Sequence, residues 1–329
     1  MFRILKFKKK FFVLFFLLIG VIFFSLFIGP VSLGLKDFIF AIKNPSSNLG
    51  VIFFELRLDR IVAAALVGAM LAISGVFLQG IFLNPLVDPY IFGVSSSAGF
   101  FYLLSLYLGL PVYQNIIFCI FGGCLILFIF LILNTLTQNS LIIVLTGVII
   151  SSFMSALISL ILIISPSVLS KSMLYWLLGS FNLVENQYFF ITTLAICVVL
   201  FFNNYFANGI NLIGLGDEKS SSLGLNIKKF RIIILLTTSL FVVLSILIAG
   251  IIGYVGLIIP HLCRMIGVYN ARYLVPIAAL VGAIFLIVSD DLARSIISPS
   301  ELPIGIVTSI VGLPIFLFIL LTLKKNVRN

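Results

Sequence analysis

A chain of 329 residues in which 62% are hydrophobic and only 9% charged lies far from the roughly 45–50% apolar and 25% charged content of soluble domains, which excludes a water-soluble globule. Residues 89 to 170 contain no Asp, Glu, Lys or Arg, a composition suited to hydrocarbon, where a charge at a helix centre costs about 2.5–3.5 kcal/mol on insertion scales. The formal charge of +10 does not mark a nucleic-acid binder, because the basic residues flank apolar runs and form no polar patch.

Five of the first ten residues are basic (Arg3, Lys6, Lys8, Lys9, Lys10), and the apolar run Phe11–Gly29 follows. That run exceeds the about 7–15 residues of a signal-peptide core, and Pro30-Val31-Ser32-Leu33 offers no good cleavage site, so an uncleaved first span is expected. A span needs about 20 apolar residues. Runs between polar or Gly/Pro breaks place spans near 11–29, 61–79, 91–109, 115–134, 141–164, 188–206, 231–249, 254–268, 275–295 and 303–323. The eighth is short, and Gly250, Gly253 and Gly256 blur its border with the seventh. The expectation is an all-α integral membrane protein of about ten helices, forming one transmembrane domain over 1–329.

Between the first two spans, the outer loop 30–60 carries Pro45-Ser46-Ser47-Asn48. Gly68, Ala72 and Gly75 repeat small side chains along one helix face, which permits close helix packing in lipid. Asn84-Pro85 and Asp88-Pro89 read as a tight inner turn, since the residue before each proline disfavours helix. Gly93, Ser95, Ser96, Ser97 and Gly99 open the third span and suit either packing or a water-filled path. The outer connection 165–187 has room for a short helix around Met173–Leu178. The largest inner loop, 207–230, has room for another from Asp217 to Gly224, with Asp217 and Glu218 at its positive N-terminal end. Gly253, Gly256 and Pro260 break regular helix inside the bilayer, which is tolerated where the break faces protein or a cavity.

An even number of spans puts both termini on one side. With the termini inside, the inner segments hold 14 of the 20 Lys and Arg. The outer segments hold Lys36, Lys43, Arg57, Arg60, Lys171 and Arg294. The positive-inside rule therefore places both termini in the cytoplasm.

No G-x-x-x-x-G-K-[ST] occurs, so the chain has no Walker loop to cradle ATP phosphates. Cys119, Cys124, Cys197 and Cys263 lie in apolar stretches, where cysteine acts as a small hydrophobe. With one histidine, His261, they make no zinc-binding spacing. No metal site, cofactor or catalytic cluster is expected, hence no enzyme. Ionisable residues at mid-membrane would mark an ion-coupled secondary transporter. Asp290 and Asp291, late in the ninth span, are the only near candidates for that rival reading.

Several blocks resemble a known family. They run Arg57-Leu58-Asp59-Arg60-Ile61-Val62-Ala63-Ala64-Ala65, Gln79-Gly80-Ile81-Phe82-Leu83-Asn84-Pro85-Leu86-Val87-Asp88-Pro89 and Gly93-Val94-Ser95-Ser96-Ser97-Ala98-Gly99. Further on come Trp176-Leu177-Leu178-Gly179-Ser180, Gly216 to Gly224, Gly253-Tyr254-Val255-Gly256 with Pro260-His261, Asp290-Asp291-Leu292-Ala293-Arg294, and Glu301-Leu302-Pro303-Ile304-Gly305. Together they resemble the FecCD-type permeases, membrane subunits of ATP-binding-cassette (ABC) importers for ferric siderophores, haem and cobalamin. The family often places a proline after the first glycine of the break, whereas here Gly250 is followed by Ile251.

The resemblance implies a type II ABC importer fold, a homodimer in the cell membrane, two cytoplasmic ATPase subunits and an extracytoplasmic substrate-binding protein. It implies that Gly216, Asp217, Glu218, Ser221, Leu223 and Gly224 belong to a coupling helix that docks on the ATPase. It also implies that Arg57, Arg60 and Arg294 grip glutamates on the binding protein, as a planar guanidinium fork pairs bidentately with carboxylates. Glu55, Asp59 and Asp291 lie near enough to neutralise these arginines within the chain. Ser95, Ser96, Ser97, Gly253 and Gly256 are the candidates for the translocation path. An iron complex is the default cargo; cobalamin and oxyanion importers share the same motifs.

Overall fold

The computed structural model describes residues 2–29, 33–136, 140–181, 187–298 and 300–327, and among these it is helical with no strand. The first part runs α1 (Phe2–Ser25), α2 (Leu35–Lys43) and α3 (Asn48–Val51), then a π-helical turn (Ile52–Arg57) into α4 (Leu58–Phe82). A 3-10 turn (Pro89–Phe92) precedes α5 (Val94–Tyr107), α6 (Val112–Leu136), α7 (Ser140–Ile164) and α8 (Ser167–Leu177). The second part contains α9 (Gln187–Phe201), α10 (Asn203–Ile213), α11 (Asp217–Ser222) and α12 (Ile227–Ala249). It ends with α13 (Val255–Met265), α14 (Ala271–Ser295) and α15 (Ile304–Val327). Part of the expected outer connection, 182–186, lies outside the described residues.

α4 is the axis of the bundle, and its small residues explain why. A Cβ at Gly68 would lie 2.2 Å from the Gly282 carbonyl oxygen, and one at Gly282 would lie 2.3 Å from that of Gly68. One turn pair further along, a Cβ at Gly75 would lie 1.9 Å from the Gly256 oxygen. The backbones of α14 and α13 therefore touch that of α4, the close approach that small residues allow in lipid. Of the apolar window in 48–82, 83% is buried, against 22% for 145–164 in α7. α7 is thus peripheral in a single chain.

Each of the ten expected spans coincides with a helix, but they are not equivalent. Among the described residues, five helical stretches (48–82, 112–133, 145–164, 227–249 and 271–295) are long and apolar enough to cross a bilayer, and six if 188–201 and 203–213, bent by 60°, form one span. At 1.5 Å per residue, the 14 residues of α5 and the 11 of α13 reach about 21 and 17 Å, short of a core of about 30 Å. Both are continued by irregular backbone, and those irregular segments meet each other.

Candidate functional site

The meeting point is the connection from α4 to α5 against the break between α12 and α13. Asp88 is buried, and its carboxylate accepts the Tyr90 amide at 2.9 Å, capping the 3-10 turn. It also accepts the Leu257 amide in the first turn of α13. Burial pushes this carboxyl up to about 6 while the two amides pull it back. The Ile252 amide, left without a helical partner by the break, donates to the Tyr90 phenol oxygen at 3.2 Å. Gln79 of α4 donates to the carbonyls of Val87, Gly256 and Leu257 at 3.3–3.4 Å and accepts from Arg264 at 2.7 Å. His261 Nε2 lies 2.9 Å from the Pro85 oxygen, so its N–H holds that loop in place. The Asn84–Pro89 segment is therefore more than the tight turn expected of it: it supplies the partners of a broken helix.

The far side of the same break is stapled by backbone contacts. Gly250 has φ +70°, and a Cβ there would lie 2.1 Å from the Trp176 oxygen. Ser180 donates its amide to the Ala249 oxygen, while the amides of Ile304 and Gly305 donate to Gly179 and Leu178. Trp176-Leu177-Leu178-Gly179-Ser180 thus joins the end of α12 to the start of α15. Trp176 also stacks on Tyr102, with centroids 4.0 Å apart.

At one end of the bundle α10 carries α11 outward. Gly216 (φ +97°) and Gly224 (φ +88°) bracket seven residues, the six of α11 and Leu223, and no atom approaches within 4 Å of a Cβ at either. The Gly224 and Leu225 amides donate to Ser221 and Ser220, the two bonds of a Schellman stop. Ser220 is buried and donates to Leu212 and Gly216, fixing α11 on α10, and Asp217 pairs with Arg231 at 3.2 Å. Leu215 (55%) and Leu223 (61%) stay exposed on either side. The result is a rigid short helix presenting apolar and acidic side chains outward.

At the opposite end three guanidiniums face three carboxylates inside the protein. Arg60 pairs with Asp290 and with Glu301, both at 2.9 Å. Arg294 pairs with Asp290 at 3.1 Å and with Asp291, which also accepts from Ser25 at 2.6 Å. Arg57 and Arg294 donate to the Leu26 and Ile28 carbonyls at the end of α1, at 2.6 and 3.0 Å. Side-chain exposure is 11% for Arg60 and 3% for Arg294, and Arg57 is 5% exposed. The three arginines expected to grip a binding protein are turned inward in this structure, where they cap α1 and tie it to α4 and α14. Asp290 and Asp291 are likewise charge-compensated, which does not suit an ion relay. Asp291, considered from the sequence as an in-chain partner, is one here, as are Asp290 and Glu301.

Ser95, Ser96 and Ser97 are all buried and donate to the oxygens of Tyr90, Gly93 and Gly122. A Cβ at Gly256 would lie 2.5 Å from Pro89 Cδ. In this structure these four residues pack helices together; Gly253 alone among the path candidates has no atom within 4 Å of a Cβ. In α7, Ser152, Ser155 and Ser159, which the sequence pattern did not single out, form an exposed stripe at helical spacing.

Residues 17–322 match the FecCD transport family. The chain belongs to it. This FecCD permease is 37% identical over 284 residues to the molybdate import system permease protein of Haemophilus influenzae, covering 84% of this chain and 83% of that one. It is 35% identical over 271 residues to the vitamin B12 import system permease protein of Klebsiella pneumoniae, covering 82% of each. An inward-facing structure of a metal-chelate type ABC transporter superposes with a TM-score of 0.83 at 34% identity, over 95% of this chain and 99% of that one. The FecCD permease is therefore a multi-pass membrane protein with the type II ABC importer fold.

Proposed function

We propose that the chain forms a homodimer that passes an iron complex (ferric siderophore or haem) or cobalamin across the cytoplasmic membrane by alternating access. Two separate ATPase subunits drive it on the inside, and a substrate-binding protein delivers cargo on the outside. The observation that carries this reading is α11: a short helix pinned by Ser220 and the Asp217–Arg231 pair, with Leu215 and Leu223 held out to a partner. Gly216, Asp217, Glu218, Ser221, Leu223 and Gly224 are its coupling residues.

Cytoplasmic termini follow from the bias of Lys and Arg toward the α11 end. The exposed serines of α7 support a path where two copies meet, because hydroxyls on an uncovered face suit water or a partner better than lipid. Gly253 joins that path at the helix break. Docking of the binding protein through Arg57, Arg60 and Arg294 requires its carboxylates to exchange with those in place. The exchange starts at Glu301, whose side chain is 22% exposed. The compensated Asp290 and Asp291 leave the ion-coupled alternative without a relay group.

Uptake of labelled ferric siderophore, haem and cobalamin into proteoliposomes holding this chain, its ATPase and its binding protein tests the proposal. ATP-dependent uptake of one cargo supports it and names the cargo. Uptake driven by an ion gradient without the ATPase contradicts it.

A further inference from the structure

At the end of the bundle that carries α11, a cavity of about 380 Å³ opens between the start of α1 and the connection from α13 to α14. Phe7, Lys10, Gly267, Tyr269, Asn270 and Tyr273 line it. The Phe7 ring lies on that of Tyr273, with centroids 4.4 Å apart, and Tyr269 stands 73% exposed at the rim. Gly267 has φ +82°, and a Cβ there would lie 3.7 Å from Lys10 Nζ, so glycine leaves the ammonium accessible from this side. Lys10 spends one of its three donors on the Ile266 carbonyl, beside the end of α13.

Three features converge on one ligand chemistry. The first is charge: Lys8 and Lys9 are exposed on the same turn as Lys10, and residues 1–36 and 219–289 contain no Asp or Glu at all. The elements that build the cavity therefore carry no acid, and the first turn of α14 adds its positive dipole end. The second is shape. From Phe7 an aromatic stripe continues along α1 through Phe11 and Phe15, with centroids 6.0 and 6.4 Å apart, and Phe12, Phe15 and Phe16 are exposed beside it. A cavity walled by aromatic side chains, with Lys10 and Asn270 as its polar groups, thus lies at the start of an apolar track along a membrane helix. The third is depth: tyrosines and lysines together mark the membrane–water interface.

We propose that this cavity seats the headgroup of an anionic phospholipid, with its phosphate on Lys10, the exposed Lys8 and Lys9 of the same turn adding to the local positive potential, and an acyl chain along the Phe7–Phe11–Phe15 stripe. Basic pockets between membrane helices hold such headgroups by the same chemistry. The site also touches the coupling arm. Asn270 accepts from the Asn211 amide nitrogen of α10 at 3.3 Å, Asn211 accepts from the Ala271 amide at 3.2 Å, and Asn203 donates to the Arg272 carbonyl at 2.8 Å. A bound headgroup therefore orders the joint between α10 and α14, three residues before the glycines that lead to α11.

Native mass spectrometry of the purified full chain, released from nanodiscs of mixed phosphatidylcholine and phosphatidylglycerol, tests this directly. The expected result is selective retention of phosphatidylglycerol, falling about five-fold for each lysine removed in Lys8→Gln, Lys9→Gln and Lys10→Gln, while Lys43→Gln at the other end changes nothing. Because Lys10 also holds the Ile266 carbonyl, the Lys8→Gln/Lys9→Gln pair keeps the test clear of folding. Equal retention of both lipids, or unchanged retention in that pair, overturns the proposal. So does displacement of the lipid by inorganic phosphate at millimolar concentration, which would make the cavity a free-anion site. A lower melting temperature in Lys10→Gln with lipid retention intact would reduce Lys10 to a helix cap and equally overturn it.

Discussion

The two ends of the molecule use charge in opposite ways. At the α11 end basic residues outnumber acids, Lys8, Lys9, Lys219, Lys228, Lys229 and Arg272 are exposed, and Asp217, half-exposed, pairs with the buried Arg231. At the other end Arg57, Arg60 and Arg294 are folded in on Asp290, Asp291 and Glu301 and on the last carbonyls of α1. One end offers its polar groups to partners and lipid; the other uses them to hold its own helices. A charged residue at a span end is thus not automatically a docking residue. What decides is whether the chain already supplies its counter-charge.

Breaking the inner network is expected to have the largest effect. Asp290 is 2% exposed and bridges Arg60 and Arg294, so Asp290→Ala leaves buried guanidiniums uncompensated and should destabilise by about 3–5 kcal/mol. Thermal unfolding in a mild detergent would reveal it. Next comes the central crossing, where Gly75→Ala pushes a methyl to within 1.9 Å of the Gly256 oxygen. Overpacking of this kind costs about 1–3 kcal/mol, and the same melting experiment should show it together with lost uptake.

A smaller effect, of order 1–3 kcal/mol, separates Asp88 from Asp88→Asn across pH. The carboxyl is pushed up from its ordinary 3.8 to about 6 by burial, so between those values the folded state binds the proton more tightly than the unfolded chain. Relative to Asp88→Asn, the native protein should lose stability as pH rises from about 4 through 6 and level off above. A difference independent of pH would show that Asp88 is not desolvated. Leu223→Asp sits at the bottom of the scale, within about 0.5 kcal/mol of the parent, because the side chain is exposed. It should nonetheless abolish capture of the ATPase in a pull-down, and that contrast separates the partner-facing end from the self-holding one.

Much of the architecture was legible in the sequence because it depends on local composition. Each apolar run became a helix, Gly68 and Gly75 became the contacts of α4, and Gly216 and Gly224 bracket a helix where the loop pattern placed one. What stayed hidden depends on partners distant along the chain. Nothing local tells that Asp88 would cap a helix starting 167 residues later at Val255, or that Gly250 would leave room for the Trp176 carbonyl. The arginines were read as docking groups with acids near enough to neutralise them, because position at a span end was visible, whereas which carboxylates they would meet was not. The serines of α5 were conspicuous as a run, and in this chain they are buried and bonded to the oxygens of Tyr90, Gly93 and Gly122. Those of α7 are spaced at 152, 155 and 159, and only the uncovered face of the helix gives that spacing a meaning.

The central claim, that the α11 end receives the ATPase and the network end receives the binding protein, is best tested by placing a photo-crosslinking residue at Leu223 and, separately, at Ile297, both exposed, in the assembled transporter in cells. The account expects an adduct with the ATPase from Leu223 and with the substrate-binding protein from Ile297. Adducts in the reverse order, or an ATPase captured at neither position while uptake persists, would contradict it.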